Sequence, residues 1–365
     1  KNTYEPITYL KDTNGTFQTD PVEIAEIIAG HQFNVTRKLT NIGVVPNINT
    51  TPATSQEEAE FNLEILPTEI STAIKSMRNS APGPDSIHAA MLKKLTPSQV
   101  KLLTKFINKI WKCGKLLQDW KLAHILPIQK PGKNKYDATS YRPISLTNVL
   151  CKLMERVITV RLHKYLTKNH LYDKFQSGFT PKRSTLDNLT QLTQEIIDGL
   201  NNNEITACVF FHVNKAFDQI SQTEILHKIQ QLGITGRMYN FISSFLDSRR
   251  FCIRLGHHLS SGQIQETGIP QGSVISPLLF ILTLLGIEEN LHKDVRYSLF
   301  ADDLAIYTRG NDVSKLIDNL QFSINNLVNW YSKRNLKFSG PKSKAVLFTR
   351  KRKIGQFTPL RIEQE

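Results

Sequence analysis

The chain has 365 residues, 40% of them hydrophobic and 21% charged, a balance that suits globular protein and excludes a disordered or low-complexity chain. Its formal charge of +14 is the footprint of a protein that neutralises phosphates, with a basic surface kept for solubility as the plain alternative. The four cysteines, Cys113, Cys151, Cys208 and Cys252, lie far apart without a Cys-x-x-Cys pair, which argues against a zinc site or disulfide framework and suits a reducing interior.

The chain opens on Lys1 with no charged-then-apolar leader, as a piece of a longer polypeptide would. No targeting signal is visible, and a nuclear or cytoplasmic setting is the expectation. Up to about Thr54 short helical signals (Asp20-Pro-Val-Glu-Ile-Ala-Glu-Ile-Ile) alternate with polar loops such as Asn47-Ile-Asn-Thr-Thr-Pro-Ala-Thr-Ser55, a lead-in segment. Helical periodicity appears at Thr68–Met77, breaks at Ala81-Pro-Gly-Pro-Asp85 and resumes from Val100 to Leu117. The first clear strand, Lys121–Ile128, runs into a basic turn, Lys130-Pro-Gly-Lys-Asn-Lys135; Tyr141–Leu146 follows, then a helix to about Leu166.

Thr206-Ala-Cys-Val-Phe-Phe-His-Val213 is an apolar run of strand formers, as a central strand covered on both faces requires. Ser221-Gln-Thr-Glu224 is a capping box for a helix that places Ile225, Leu226, Ile229 and Leu232 on one face, ends at Gly233 and covers that strand. The longest apolar stretch, Pro277–Ile287, is far short of the roughly 20 residues a membrane crossing needs, and predicts a buried helix. Val295–Tyr307 reads as two strands meeting at a tight turn that holds Asp302 and Asp303. A helix through Trp330 and a strand at Lys344–Phe348 follow. No internal repeat is present.

Adjacent carboxylates at a hairpin turn repel unless a cation compensates them, so a divalent metal is the candidate ligand, with one aspartate binding directly and the other supporting. A surface Asp-Asp turn alone is commonplace. It is the company it keeps that matters. Phe300-Ala-Asp-Asp303, Gly268-Ile-Pro-Gln-Gly-Ser-Val-Ile-Ser-Pro277, Phe210-Phe-His-Val-Asn-Lys-Ala-Phe-Asp218, Tyr141-Arg-Pro-Ile-Ser-Leu-Thr147 and Gln176-Ser-Gly-Phe-Thr-Pro-Lys-Arg-Ser-Thr185 together resemble, in order and spacing, the reverse transcriptases of non-LTR retrotransposons, most like the jockey-type elements. The resemblance covers about residues 80–350; Ser80–Asp85 and Asn335–Lys344 also look like family blocks.

The resemblance implies an α+β right-hand polymerase: residues 1–60 a linker or N-terminal extension, 61–200 fingers with a helical part, 201–350 a palm with an antiparallel sheet, and 351–365 the start of a thumb or a tail. It implies RNA-directed DNA synthesis, in which a primer 3′-hydroxyl attacks the α-phosphate of a deoxynucleotide between two divalent ions, Mg2+ or Mn2+. The partners implied are an RNA template, a DNA primer or target, and dNTPs, without a membrane; oligomeric state is left open. Asp302 matches the metal-binding acid and Asp303 its neighbour. At the position of the third acid this chain has His212, which gives a hard cation neither charge nor oxygen. Impaired polymerisation is the resulting expectation, with a catalytically inactive, polymerase-shaped nucleic-acid binder or retrotransposon remnant as the alternative. His212 could then simply fill the pocket as a hydrogen-bonded core histidine. Asp218, past the strand end, is not expected to substitute.

Phe217 matches the bulky residue that excludes a ribose 2′-hydroxyl, against a reading as plain core packing. That ring also disfavours an RNA-dependent RNA polymerase. Gln271 and Gly272 match the loop against the nascent base pair. Arg142, Lys130 and Lys133 are candidates for the triphosphate, Arg142 first because a guanidinium binds phosphate bidentately. Gln176, Lys182 and Arg183 resemble the template-handling block, and Lys342 a lysine that protonates pyrophosphate.

Overall fold

Asp20 accepts a hydrogen bond from Val22 N at 3.1 Å and is followed by Pro21, which has no N–H to leave unsatisfied. The first expected helix therefore starts there. The computed structural model describes residues 7–37 and 59–362; the loop expected at Asn47–Ser55 lies outside the described residues. The elements in chain order begin with β1 (Leu10–Lys11), β2 (Phe17–Gln18), α1 (Pro21–Thr36), α2 (Pro67–Ser76), α3 (Ala89–Leu92), α4 (Pro97–Cys113), β3 (Leu122–Gln129), β4 (Tyr141–Leu146) and α5 (Val149–Lys168). After them come α6 (Thr185–Asn201), β5 (Ile205–His212), α7 (Ala216–Gln219), α8 (Gln222–Gln231), α9 (Gly236–Leu246), β6 (Arg249–Leu255), β7 (His258–Leu259) and β8 (Gln263–Gln265). The last are α10 (Ser276–Thr283), β9 (Arg296–Phe300), β10 (Asp303–Gly310), α11 (Val313–Ser332) and β11 (Lys344–Phe348). Two compact units share these elements: Lys1–Tyr165 with Leu226–Ser276, and Leu166–Ile225 with Pro277–Glu365.

In the first unit β3 alternates buried and half-buried residues, as one covered face requires. It pairs antiparallel with β4 and parallel with β6. Leu10, Ile24, Ile28, Ile125, Phe251 and Ile253 form the core that α1 closes over this sheet. The helix α4 is shorter than expected: it starts at the Thr96–Gln99 capping box and stops at Gly114, left-handed at φ +68°, instead of continuing to Leu117. Its buried Trp111 donates to Leu63 O at 3.1 Å. On α5, Arg161 gathers residues 61–69 with bonds to Leu63 O (2.5 Å), Glu64 O (2.9 Å) and both carboxylate oxygens of Glu69 (2.8 and 2.7 Å).

The second unit holds a four-stranded sheet in the order β11-β5-β10-β9, antiparallel throughout. Ile205 to Val209 are buried at every position, so both faces of β5 are covered, as its apolar run implied. Within this unit α6 and α11 pack against β5. Ser221 caps α8 in part, with Glu224 N donating to Ser221 Oγ at 3.3 Å. The apolar run at 277–287 is buried as expected but α-helical only to Thr283; Gly286, at φ +90°, precedes a short 3-10 turn at Ile287–Asn290. Among the described residues no helix is long and apolar enough to cross a membrane.

Candidate active site

The strand pairing alone brings two distant residues together. His212, the last residue of β5, stands opposite Asp303, the first of β10, and Asp303 also pairs with Phe300. Directly opposed antiparallel residues have Cβ atoms about 5 Å apart. His212 Nδ1 accordingly lies 3.7 Å from Asp303 Oδ1, and its Nε2 lies 3.3 Å from Lys342 Nζ. The imidazole is 35% exposed, so the expectation of a core histidine is corrected: it spans an acid and a lysine at the rim of the sheet. Lys342 arrives there because Ser339 N donates to His212 O at 2.7 Å and Phe338 bridges Val213.

Asp302 occupies the turn itself, half-buried, whereas Asp303 is exposed. Burial pushes the Asp302 carboxyl up from its ordinary value, the Asp303 charge adds to this, and His212 opposes it. A raised folded-state value means a contribution to stability that is full at low pH and lost as the group ionises. Asp302→Asn is therefore expected to raise the melting temperature by a few degrees, roughly 2 °C or more, at pH 8 without divalent ions. The gain should vanish below about pH 4, where an ordinary aspartate is protonated. Thermal scans of both proteins across pH check this; an equal gain at every pH would mean that ionisation is not the cause.

The turn is strained and clamped. Ala301 is left-handed at φ +56° without being glycine. Gln176 holds it: Oε1 accepts from Ala301 N at 2.9 Å and Gly178 N at 2.8 Å, while Nε2 faces Ala301 O at 3.4 Å. Ser177 N donates to Leu299 O and Leu299 N to Phe175 O, both at 2.9 Å, so residues 175–177 run beside β9 as a short parallel bridge. Asp173 fixes this segment, accepting from Phe175 N (2.6 Å), Gln176 N (3.1 Å) and Tyr297 Oη (2.8 Å); burial pushes its carboxyl up. A Cβ on Gly178 would stand 2.2 Å from Ala301 N. Gly178→Ala is thus expected to cost roughly 2 kcal/mol or more, read from urea unfolding; an unchanged midpoint would show that the clamp is not tight.

The block expected to handle template is in large part spent inside the protein. Gln176 is 2% exposed, with its amide taken by the acid turn. Arg183 Nη1 donates to Asp173 O (2.5 Å) and Gln176 O (2.8 Å). Only Lys182 of the three is exposed. Phe217 is half-buried, stacked on Phe280 with centroids 4.7 Å apart and edge-on to Phe179 at 6.2 Å. Asp218 is buried on α7. Asp173 and Gly178 were missed by sequence reading; a glycine two residues after Gln176 was the available signal.

The remaining candidates belong to the first unit. Arg142 is exposed on β4, and Lys130 Nζ donates to Thr139 O at 2.7 Å across the exposed basic turn that carries Lys133. Gln271 and exposed Gly272, at φ +117°, sit on a loop whose Gln271 carbonyl accepts from Ser145 N at 2.7 Å.

Two carboxylates and one imidazole do not fit a pair of hard divalent ions, which need oxygen ligands at fixed separation. Among the described residues no three His, Cys, Asp or Glu side chains are disposed to hold a metal ion. The expectation of two ions holds for an intact site with a third carboxylate, and His212 stands where that carboxylate is missing.

Residues 128–360 match the family model described as reverse transcriptase (RNA-dependent DNA polymerase). Among curated relatives, the probable RNA-directed DNA polymerase from transposon BS of Drosophila melanogaster is 32% identical over 81% of this chain and 33% of its own length. The X-element enzyme of the same organism is 27% identical over 94% of this chain and 38% of its own, and that of the mobile element jockey 26% identical over the same shares. The chain thus spans about a third of the length of these relatives. Its hairpin acids, the ordered blocks around them and these matches have one meaning: the chain belongs to the reverse transcriptase (RNA-dependent DNA polymerase) family, alongside the polymerases of jockey-like non-LTR retrotransposons.

Proposed function

We propose that this chain is the polymerase part of a non-LTR retrotransposon reverse transcriptase, built to extend a DNA primer on an RNA template and slowed in its chemistry by His212. The observation that carries the reading is the register of β5 on β10, which sets residue 212 beside Asp303 at the acid turn. An acid at 212 would complete three carboxylates on one sheet rim; the imidazole there instead faces Asp303 and Lys342. When bound, divalent ions supply charge stabilisation for the attacking and leaving oxygens.

The right-hand assignment, with fingers at 61–200, palm at 201–350 and the start of a thumb or tail at 351–365 after an extension at 1–60, goes with this reading. In it Arg142 is the first choice for the triphosphate, since Lys130 is engaged by Thr139. Phe217 meets the sugar with its half-exposed side, and Gln271 and Gly272 present backbone to the base pair. Lys182 serves the template, while Gln176 acts through the turn it holds. Lys342 stands where a proton donor to pyrophosphate would be wanted. The four cysteines are free thiols, which goes with a nuclear or cytoplasmic setting.

The test is binding and extension together. An RNA template annealed to a DNA primer should bind the chain with salt-dependent affinity, as a charge of +14 requires, and His212→Asp should confer template-dependent extension. Failure to bind, or extension that ignores the template, would overturn the proposal.

A further inference from the structure

Glu155, on α5, is a carboxylate with 0% exposure. Burying such a group without partners is very costly, so its partners reveal what it is there for. They come mainly from one loop. Its Oε2 accepts from Ser273 Oγ at 2.5 Å, from Val274 N at 2.7 Å and from Ile275 N at 3.3 Å, and Cys151 Sγ faces Oε1 at 3.5 Å. Opposite charge is at hand in Arg249, 1% exposed, whose guanidinium donates to Phe245 O at 3.1 Å and lies over the Phe245 ring at 4.7 Å.

The loop that Glu155 grips is tied at a second point to the strand that carries Arg142. Ser145 N donates to Gln271 O at 2.7 Å, and a Cβ on Gly272 would stand 2.7 Å from Ser145 O. No side chain fits between loop and strand there. The Ser273 hydroxyl that reaches Glu155 also faces Ser276 N at 3.4 Å. Residues 271–275 are therefore pinned on one side by β4 and on the other by Glu155, with Gly272 the exposed residue between the two attachments. None of these contacts is needed to bury apolar surface; what they fix is the path of the loop backbone.

We infer that Glu155 is a positioning residue: its buried carboxylate sets the conformation of the Gln271–Ile275 loop and, through Ser145, fixes that loop relative to Arg142, so that the two recognise one incoming nucleoside triphosphate. The nucleotide half of this inference rests on the polymerase reading above.

The experiment compares the full chain with Glu155→Gln, Ser273→Ala and Ser273→Thr. The first readout is hydrogen exchange of a peptide spanning residues 268–276. Glu155→Gln should speed its exchange at least about tenfold while the β5 and β10 peptides hold their rates. Ser273→Ala should act in the same direction but less, and Ser273→Thr, which keeps the hydroxyl, should restore the slow rate. The second readout is retention of an RNA template–DNA primer in the presence of the complementary dNTP, measured as dNTP concentration for half-maximal retention. Glu155→Gln should raise that concentration about tenfold without weakening binding of primer–template alone. Uniform acceleration of exchange across the chain, or an unchanged loop with lowered melting temperature, would reduce Glu155 to a general core group and overturn the inference. If the unsubstituted chain binds primer–template without any response to dNTP, the polymerase reading fails together with the nucleotide half, while the loop exchange still decides the positioning role.

Discussion

With magnesium, a poly(rA) template and a DNA primer, the unsubstituted chain is expected to extend near background and His212→Asp to extend at least about a hundredfold faster, the scale of one electrostatic element in an active site. The substitution places a carboxylate directly opposite Asp303 in the ladder, with Asp302 in the adjoining turn. Like charges directly opposite on neighbouring strands destabilise a sheet unless a cation lies between them. His212→Asp should therefore lower the melting temperature in EDTA and recover it with magnesium, while the unsubstituted chain responds little. Lys342, now 3.3 Å from the imidazole, would gain a charged partner. Robust extension by the unsubstituted chain, unchanged by the substitution, would remove His212 from the explanation.

Arg161→Ala is the substitution expected to cost most in stability, roughly 3–5 kcal/mol, the usual cost of stripping one partner from a buried ion pair. The guanidinium is 9% exposed, makes a two-pronged contact with Glu69 and binds the carbonyls of Leu63 and Glu64. Its loss leaves those carbonyls and a half-buried carboxylate without their donor. Burial works to raise the Glu69 carboxyl, but the Arg161 hydrogen bond, the Leu66 N–H and the positive charge outweigh it and hold the carboxyl below its ordinary value. A depressed folded-state value contributes stability that is present above the unfolded value, near 4.3, and lost as pH falls through the folded one. The gap between the two proteins in urea unfolding should accordingly be widest near neutrality and narrow in acid. A gap that stays constant with pH would mean that lost packing, not the ion pair, is what matters.

The positions of most elements were legible in the sequence because each is specified within a few residues. Asp20-Pro21 starts α1, and the uninterrupted apolar run of β5 marks an interior strand. Helix ends were less legible, since Gly114 stops α4 through a left-handed backbone conformation that competing helical periodicity conceals. The pairing of position 212 with the acid turn was an inference from block order, which the strand register then made concrete.

By itself the sequence determined the family, and it put a histidine at 212 where the resemblance expects an acid, because ordered blocks and residue identities are local facts. Only the tertiary structure decided that Gln176 serves the acid turn, that Gly178 leaves room for Ala301, and that Glu155 holds the Gln271–Ile275 loop. Those contacts join residues 125, 123 and 119 positions apart. Separations of that size are closed by the folding of whole units, and no local pattern of residue types encodes which backbone amide a buried side chain will meet.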